Sequence, residues 1–159
     1  MNHQMTTPIK SIVELLSYEN FVKRIENSVG SREYRNLFAL VRGVRKDILK
    51  DGLISCAYYV SNVCTVLGYL PRPHTTVDGL IVGLENNGWR RVEQPTKPGE
   101  ILVWEEATQA GGELHKHAGF YMGNDQAISH VDSDRTPSYH HLTFGGTRKV
   151  VAVYTRDFE

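Results

Sequence analysis

Two cysteines, Cys56 and Cys64, and five histidines between positions 115 and 141 are the residues of this 159-residue chain whose types and spacing could do covalent chemistry. A thiolate is a nucleophile and a metal ligand, so the first question is which thiol is placed to ionise. Cys56 follows an Asp51-Gly52 turn signal and Ser55, a good N-cap residue, which puts it in the first turn of a helix. Free amide N–H groups and the positive end of the helix dipole favour an anion there. Cys64 falls on the apolar stripe of the same helix and reads as a small buried hydrophobe, a reading that stays open for Cys56 as well. Eight residues apart on one helix, the two lie about 12 Å apart along its axis, beyond the ~7 Å between Cα atoms that a disulfide tolerates. They are two separate thiols.

A nucleophilic thiol needs a base within hydrogen-bond reach and a group that orients the base. His117 opens the alternating run HAGFYMG, Gly123-Asn124-Asp125 turns the chain, and AISHV returns, so His130 is expected to face back across a hairpin beside His117. One imidazole would act as base and the other as orienter. In a thiolate–imidazolium pair the thiol should titrate below its ordinary ~8.5 and the imidazole above ~6.5. A competing reading makes His115, His117 and His130 zinc ligands, because residues two apart on a strand share a face. The chain has no HExxH and no paired CxxC, and Lys116 interrupts the pair, so no metal or other cofactor is expected. His140 and His141, adjacent and therefore facing opposite ways on a strand, read as surface or supporting residues. Trp89 and Trp104 read as core aromatics at the sheet edge, with walling of a substrate cleft the alternative.

The elements that must hold these residues follow from periodicity. Pro8–Ser28 spaces Ile9, Ile12, Val13, Leu16, Phe21, Val22 and Ile25 as an amphipathic helix with a possible break at Tyr18–Asn20, and Tyr34–Arg42 leans towards a strand. Cys56, Val60, Val63, Cys64 and Leu67 predict a buried helix of about three turns closed by Gly68. Thr75-Thr76-Val77-Asp78 resembles a capping box for a shorter helix ending near Gly88. Short apolar or alternating runs then follow at 89–93, 101–104, 117–122, 127–131 and 150–154. Helices followed by strands predict an α+β fold with a mainly antiparallel sheet. The length predicts a single domain over residues 1–159, with a helical or extended subregion at 1–50 and the catalytic core at 51–159.

Charge narrows the partners. Eighteen Lys/Arg balance eighteen Asp/Glu, which argues against a nucleic-acid binder, although residues 1–50 carry nine basic against five acidic residues. No apolar run reaches the ~18 residues of a membrane span, and the N-terminus lacks a charged region followed by an apolar one, so a cytoplasmic location is expected, with phage or secretion-system delivery as the other route. Oligomeric state is left open.

GLISCAYYVSNVCTVLGYLP, then KPGEILVW, then HAGFYMGNDQAISH, resembles the NlpC and CHAP branches of the papain-like cysteine hydrolases over roughly Ser55–Tyr154, as a divergent subgroup. The resemblance implies helices packed on a small antiparallel sheet, Cys56 as nucleophile, His117 as general base and His130 as the orienting residue. It further implies hydrolysis of amide or peptide bonds, as in peptidoglycan peptides, with Ser55, Tyr58 and Trp104 as candidate substrate contacts. The chain departs from the family pattern in having Ser55 before the cysteine and Ala57-Tyr58 after it, Glu100 in place of Asp, and Val44-Arg45 where an upstream Tyr is usual. A binding module that keeps the scaffold without the chemistry is the alternative function.

Overall fold

The computed structural model of the protein describes residues 12–108 and 112–158. Among them the chain runs α1 (Ser17–Asn27), β1 (Phe38–Val41), β2 (Val44–Asp47), α2 (Cys56–Val66), α3 (Val77–Glu85), β3 (Arg90–Val92), β4 (Ile101–Thr108), β5 (Leu114–Gly123), β6 (Gln126–Val131), β7 (Thr136–His141) and β8 (Val150–Thr155). The main sheet has the order β3-β8-β4-β5-β6-β7, every neighbouring pair antiparallel, and β1-β2 form a separate ribbon. The α+β architecture expected from the sequence is the one found.

The centre of the fold is α2. Its sequence CAYYVSNVCTV is apolar almost all round, and a helix of that kind must be covered on most sides. It packs across β5 and β6, and Cys56, Tyr59, Val60, Val63 and Cys64 share one core with Ile101, Val103, Ala118, Phe120 and Ile128 of the sheet and with Phe21 and Ile25 of α1. Its end is a Schellman motif: Gly68 adopts φ +75°, the Gly68 amide donates to Thr65 O (3.0 Å) and the Tyr69 amide to Cys64 O (2.9 Å). The opposite sheet face carries a smaller core of Leu102, Trp104, Ala127 and Val153.

Three local expectations change. The first helix starts at Ser17, so the break lies ahead of Tyr18, and Ile12, Leu15 and Leu16 are exposed and non-helical; Pro8 to Ser11 lie outside the described residues. Thr76, not Thr75, caps α3 by accepting the Gly79 amide (3.0 Å), and the Asp78 carboxylate takes Lys116 Nζ (2.7 Å) instead of closing a capping box. Two strands lie outside the apolar runs read from the sequence: β2, and β7, of which only His140 and His141 were read as strand. The sequence VRKD of β2 lies in a ribbon exposed on both faces, so no apolar alternation marks it. Pro137 disguises β7, which is tolerated because β7 is the sheet edge and a missing N–H there costs no ladder bond.

Candidate active site

The loop from Asp47 to Ser55 delivers Cys56 to its place. The Asp47 carboxylate accepts the amides of Leu37 (3.0 Å), Leu49 (3.1 Å) and Asp51 (2.8 Å), which ties the base of the ribbon to this loop, and Leu49 is wholly buried. Asp51 in turn bridges Arg35 (3.1 Å) and Arg135 (2.8 Å). Ser55 stands at the N-cap position of α2, but its hydroxyl makes no capping bond and is buried without a partner.

Cys56 is 7% exposed and sits where two cavities meet. One, of about 250 Å³, lies between the starts of α2 and α3 and is lined by Ala57, Thr76, Asp78, Glu106 and Lys116. The other, of about 490 Å³, is lined by His117, His130, His140, Phe144, Asp132 and Arg148. Burial pushes the Cys56 thiol above its ordinary value; the Ala118, Ala57 and Cys56 amides and the Arg148 guanidinium pull the other way without overcoming it. Arg148 is held by Glu105 O (2.9 Å) and His115 O (2.7 Å) beside the bulge that separates Trp104 from Ala107 in β4.

His117 pairs with Trp104 across β4-β5 and is 5% exposed. Its Nε2 lies 2.8 Å from Ser129 Oγ, and Ser129 Oγ lies 2.7 Å from His140 Nε2. His140 Nδ1 is 2.8 Å from the His141 carbonyl, and its ring stacks on Phe144 at 3.9 Å between centroids. Nδ1 of His117 is buried with no hydrogen-bond partner. Burial, followed by the Arg148 charge and the His140 and His130 rings, holds the His117 imidazole well below its ordinary value. The expected thiolate–imidazolium signature is therefore reversed in the resting site, where desolvation of two buried groups favours neutral thiol and neutral imidazole.

His130 does not orient His117. Both of its nitrogens are buried without a partner, and burial, with Arg35 adding to it, lowers its pKa to about 4. The cause is register. A plain two-residue turn at Asn124-Asp125 would place residue 130 opposite 119, on the His117 face, but a bulge between Tyr121 and Gly123 shifts the ladder by one, so Ser129 stands opposite Gly119. Gly119 is required there: a Cβ would come within 2.6 Å of Ser129 Cβ and 2.7 Å of Ile128 O.

No protein-family model matches the chain, and no curated protein matches it. Among solved structures, that of NlpC2 from Trichomonas vaginalis aligns with a TM-score of 0.55 at 17% sequence identity, covering 91% of this chain and 49% of that one. The fold is NlpC-like. The chain spans about half the length of that protein.

On this NlpC-like scaffold the expected substrate contacts fall outside the cavities, while His115 lines the smaller one. Ser55, Tyr58 and Trp104 line neither space beside Cys56. Trp104 is fully buried behind His117, its indole N–H donating to Leu142 O (2.8 Å), and Tyr58 packs partly buried against the core. Glu100 closes the Lys97-Pro98-Gly99 turn by accepting the Thr96 and Lys97 amides. His115 turns to Glu113 (3.1 Å), and among the described residues no three His, Cys, Asp or Glu side chains converge to hold a metal ion. No described helix is long and apolar enough to cross a membrane. Ser129 and Arg148 are the site residues that sequence reasoning missed, and neither carried a signal; His140, read from the sequence as a surface or supporting residue, lies behind Ser129.

Proposed function

We propose that this chain is a thiol hydrolase of amide bonds in which Cys56 attacks the carbonyl and His117 carries the proton. The observation that supports it most is that one cavity takes in both the start of α2, with Cys56, and a histidine whose far nitrogen is held while its Nδ1 is bare and buried. The Cys56 proton passes to His117 Nδ1 as Sγ bonds to the carbonyl carbon, so charge separates only when substrate is present. The resulting oxyanion meets backbone N–H groups at the first turn of α2, Cys56 N–H among them, where the helix dipole adds to their stabilisation. The amine then leaves with the proton from His117, and water, deprotonated by the same imidazole, hydrolyses the thioester and restores the thiol.

The substrate proposed is a peptide or a peptidoglycan fragment, and the test is incubation with purified sacculi, soluble muropeptides and unrelated peptides, followed by mass spectrometry for new amines. Cys56-dependent release from the cell-wall material supports the full reading. Release from unrelated peptides alone keeps the hydrolase and removes the wall substrate. A second reading, a binding module on the same scaffold, draws on the upward shift of the buried Cys56 thiol. Substrate bound without turnover, together with no difference between Cys56 and Cys64 in iodoacetamide labelling of the folded protein, would favour it.

A further inference from the structure

The hydrogen bonds behind His117 have a direction that can be read from one end. A backbone carbonyl can only accept, so the 2.8 Å contact between His140 Nδ1 and the His141 carbonyl requires the His140 proton on Nδ1. In a neutral ring Nε2 is then a bare acceptor. The Ser129 hydroxyl, 2.7 Å away, must donate to it. With its proton committed there, Ser129 Oγ can only accept from His117 Nε2, at 2.8 Å. The proton of neutral His117 is thereby placed on Nε2, and Nδ1, buried without a partner on a ring that lines the same cavity as Cys56, is left as a lone pair.

We infer that His140, acting through the Ser129 hydroxyl, is a positioning residue that fixes His117 as the Nε2–H tautomer and so keeps its Nδ1 as the base of the site. The tautomer stands on geometry; its catalytic consequence rests on the hydrolase reading proposed above. The relay requires His140 neutral, because a ring protonated at both nitrogens would donate to Ser129, turn the hydroxyl round and put the His117 proton on Nδ1. Its surroundings keep it neutral. The His140 ring is stacked on Phe144 and lies 5.5 Å from the Trp104 ring, and burial lowers its proton affinity. Next to it the His141 ring also disfavours a charge on His140, whereas the His141 carbonyl to which it donates favours one without overcoming burial; at His117 the Arg148 charge and the His140 and His130 rings act in the same direction as burial. Gly119 adds a steric condition, since its missing Cβ is what lets Ser129 lie between the two rings.

The test uses the full chain with ¹⁵N-labelled histidine. At neutral pH, long-range nitrogen–proton correlation should show His117 protonated at Nε2 and bare at Nδ1, and His140 protonated at Nδ1. Ser129→Ala removes one atom, and His140→Phe keeps a ring against Phe144. In both variants the His117 tautomer should become mixed or shift to Nδ1–H. The rate of Cys56 alkylation by iodoacetamide should fall in both, and any turnover should lose at least about 10²-fold in kcat with KM little changed, the low end of what a positioned base contributes. A wild-type His117 carrying its proton on Nδ1, or a tautomer unmoved in both variants, overturns the relay even if Cys56-dependent turnover persists. The assigned tautomers with no turnover of any amide leave the relay standing and remove the hydrolase.

Discussion

The two ends of α2 hold the same side chain in different circumstances. Cys56 and Cys64 are both buried, and burial pushes both thiols up. At Cys64 nothing close offsets that burial; the one opposing influence is the Arg156 charge, and the thiol sits in the core as a hydrophobe would. At Cys56 three amides, one of them from β5, and the Arg148 guanidinium favour the thiolate, two cavities open on it, and an imidazole with a bare nitrogen lines one of them. A thiol becomes chemistry through what surrounds it when it ionises, and the first turn of a helix supplies free amides, whereas in the last turn the amides are already spent on the helix ladder.

The largest expected effect separates the two directly. Cys56→Ala should reduce turnover to background while stability stays within about 1–2 kcal/mol, whereas Cys64→Ala should keep turnover and cost about 1–2 kcal/mol through the cavity it leaves. Substrate cleavage and urea unfolding of both variants measure this, and turnover surviving in Cys56→Ala would end the assignment. Next in size is the acid limb of stability. His130 is held near pKa 4 in the folded protein against about 6.5 unfolded, so the unfolded chain binds the proton first. The stabilisation is fully present above about pH 6.5 and is lost as pH falls through about 4, on the order of 2–3 kcal/mol. Urea unfolding from pH 7 to 4 should show His130→Gln with a shallower slope than the wild type; equal slopes would mean the ring is not desolvated as the structure has it. The smallest effect concerns Gly119→Ala, which should slow Cys56 alkylation by displacing Ser129 while leaving Cys64 as protected as before. An unchanged Cys56 rate would show that the strands can absorb the methyl group without moving the relay.

The elements that carry a strong local pattern were legible. The apolar stripe of α2, Gly68 at its end and Cys56 at its start are all local properties, and the structure has them where the spacing puts them. The strands at 101–108, 114–123, 126–131 and 150–155 contain the short runs read from the sequence. Arg148 was not legible, because its place depends on a bulge in β4 to which it is bound from 43 residues away. Trp104 as a possible cleft wall failed for a related reason: alternation says which residues share a face of a strand, not whether that face is covered by Leu142 and Phe144.

The sequence by itself determined that a thiol begins a buried helix, that strands follow it, and that His117 opens one of them, since each is a matter of periodicity, capping and turn residues within a dozen positions. Which residue stands behind His117 was decided only in the tertiary structure. Side chains on a strand alternate with period two, so one extra residue in the β5-β6 ladder exchanges His130 for Ser129. That residue is accommodated through pairings across the whole sheet: Gly119 against Ser129, Trp104 against His117, and His140 brought in from the edge strand. A turn sequence read by itself predicts the unbulged hairpin, because the contacts that favour the bulge join residues the chain brings together only when it has folded.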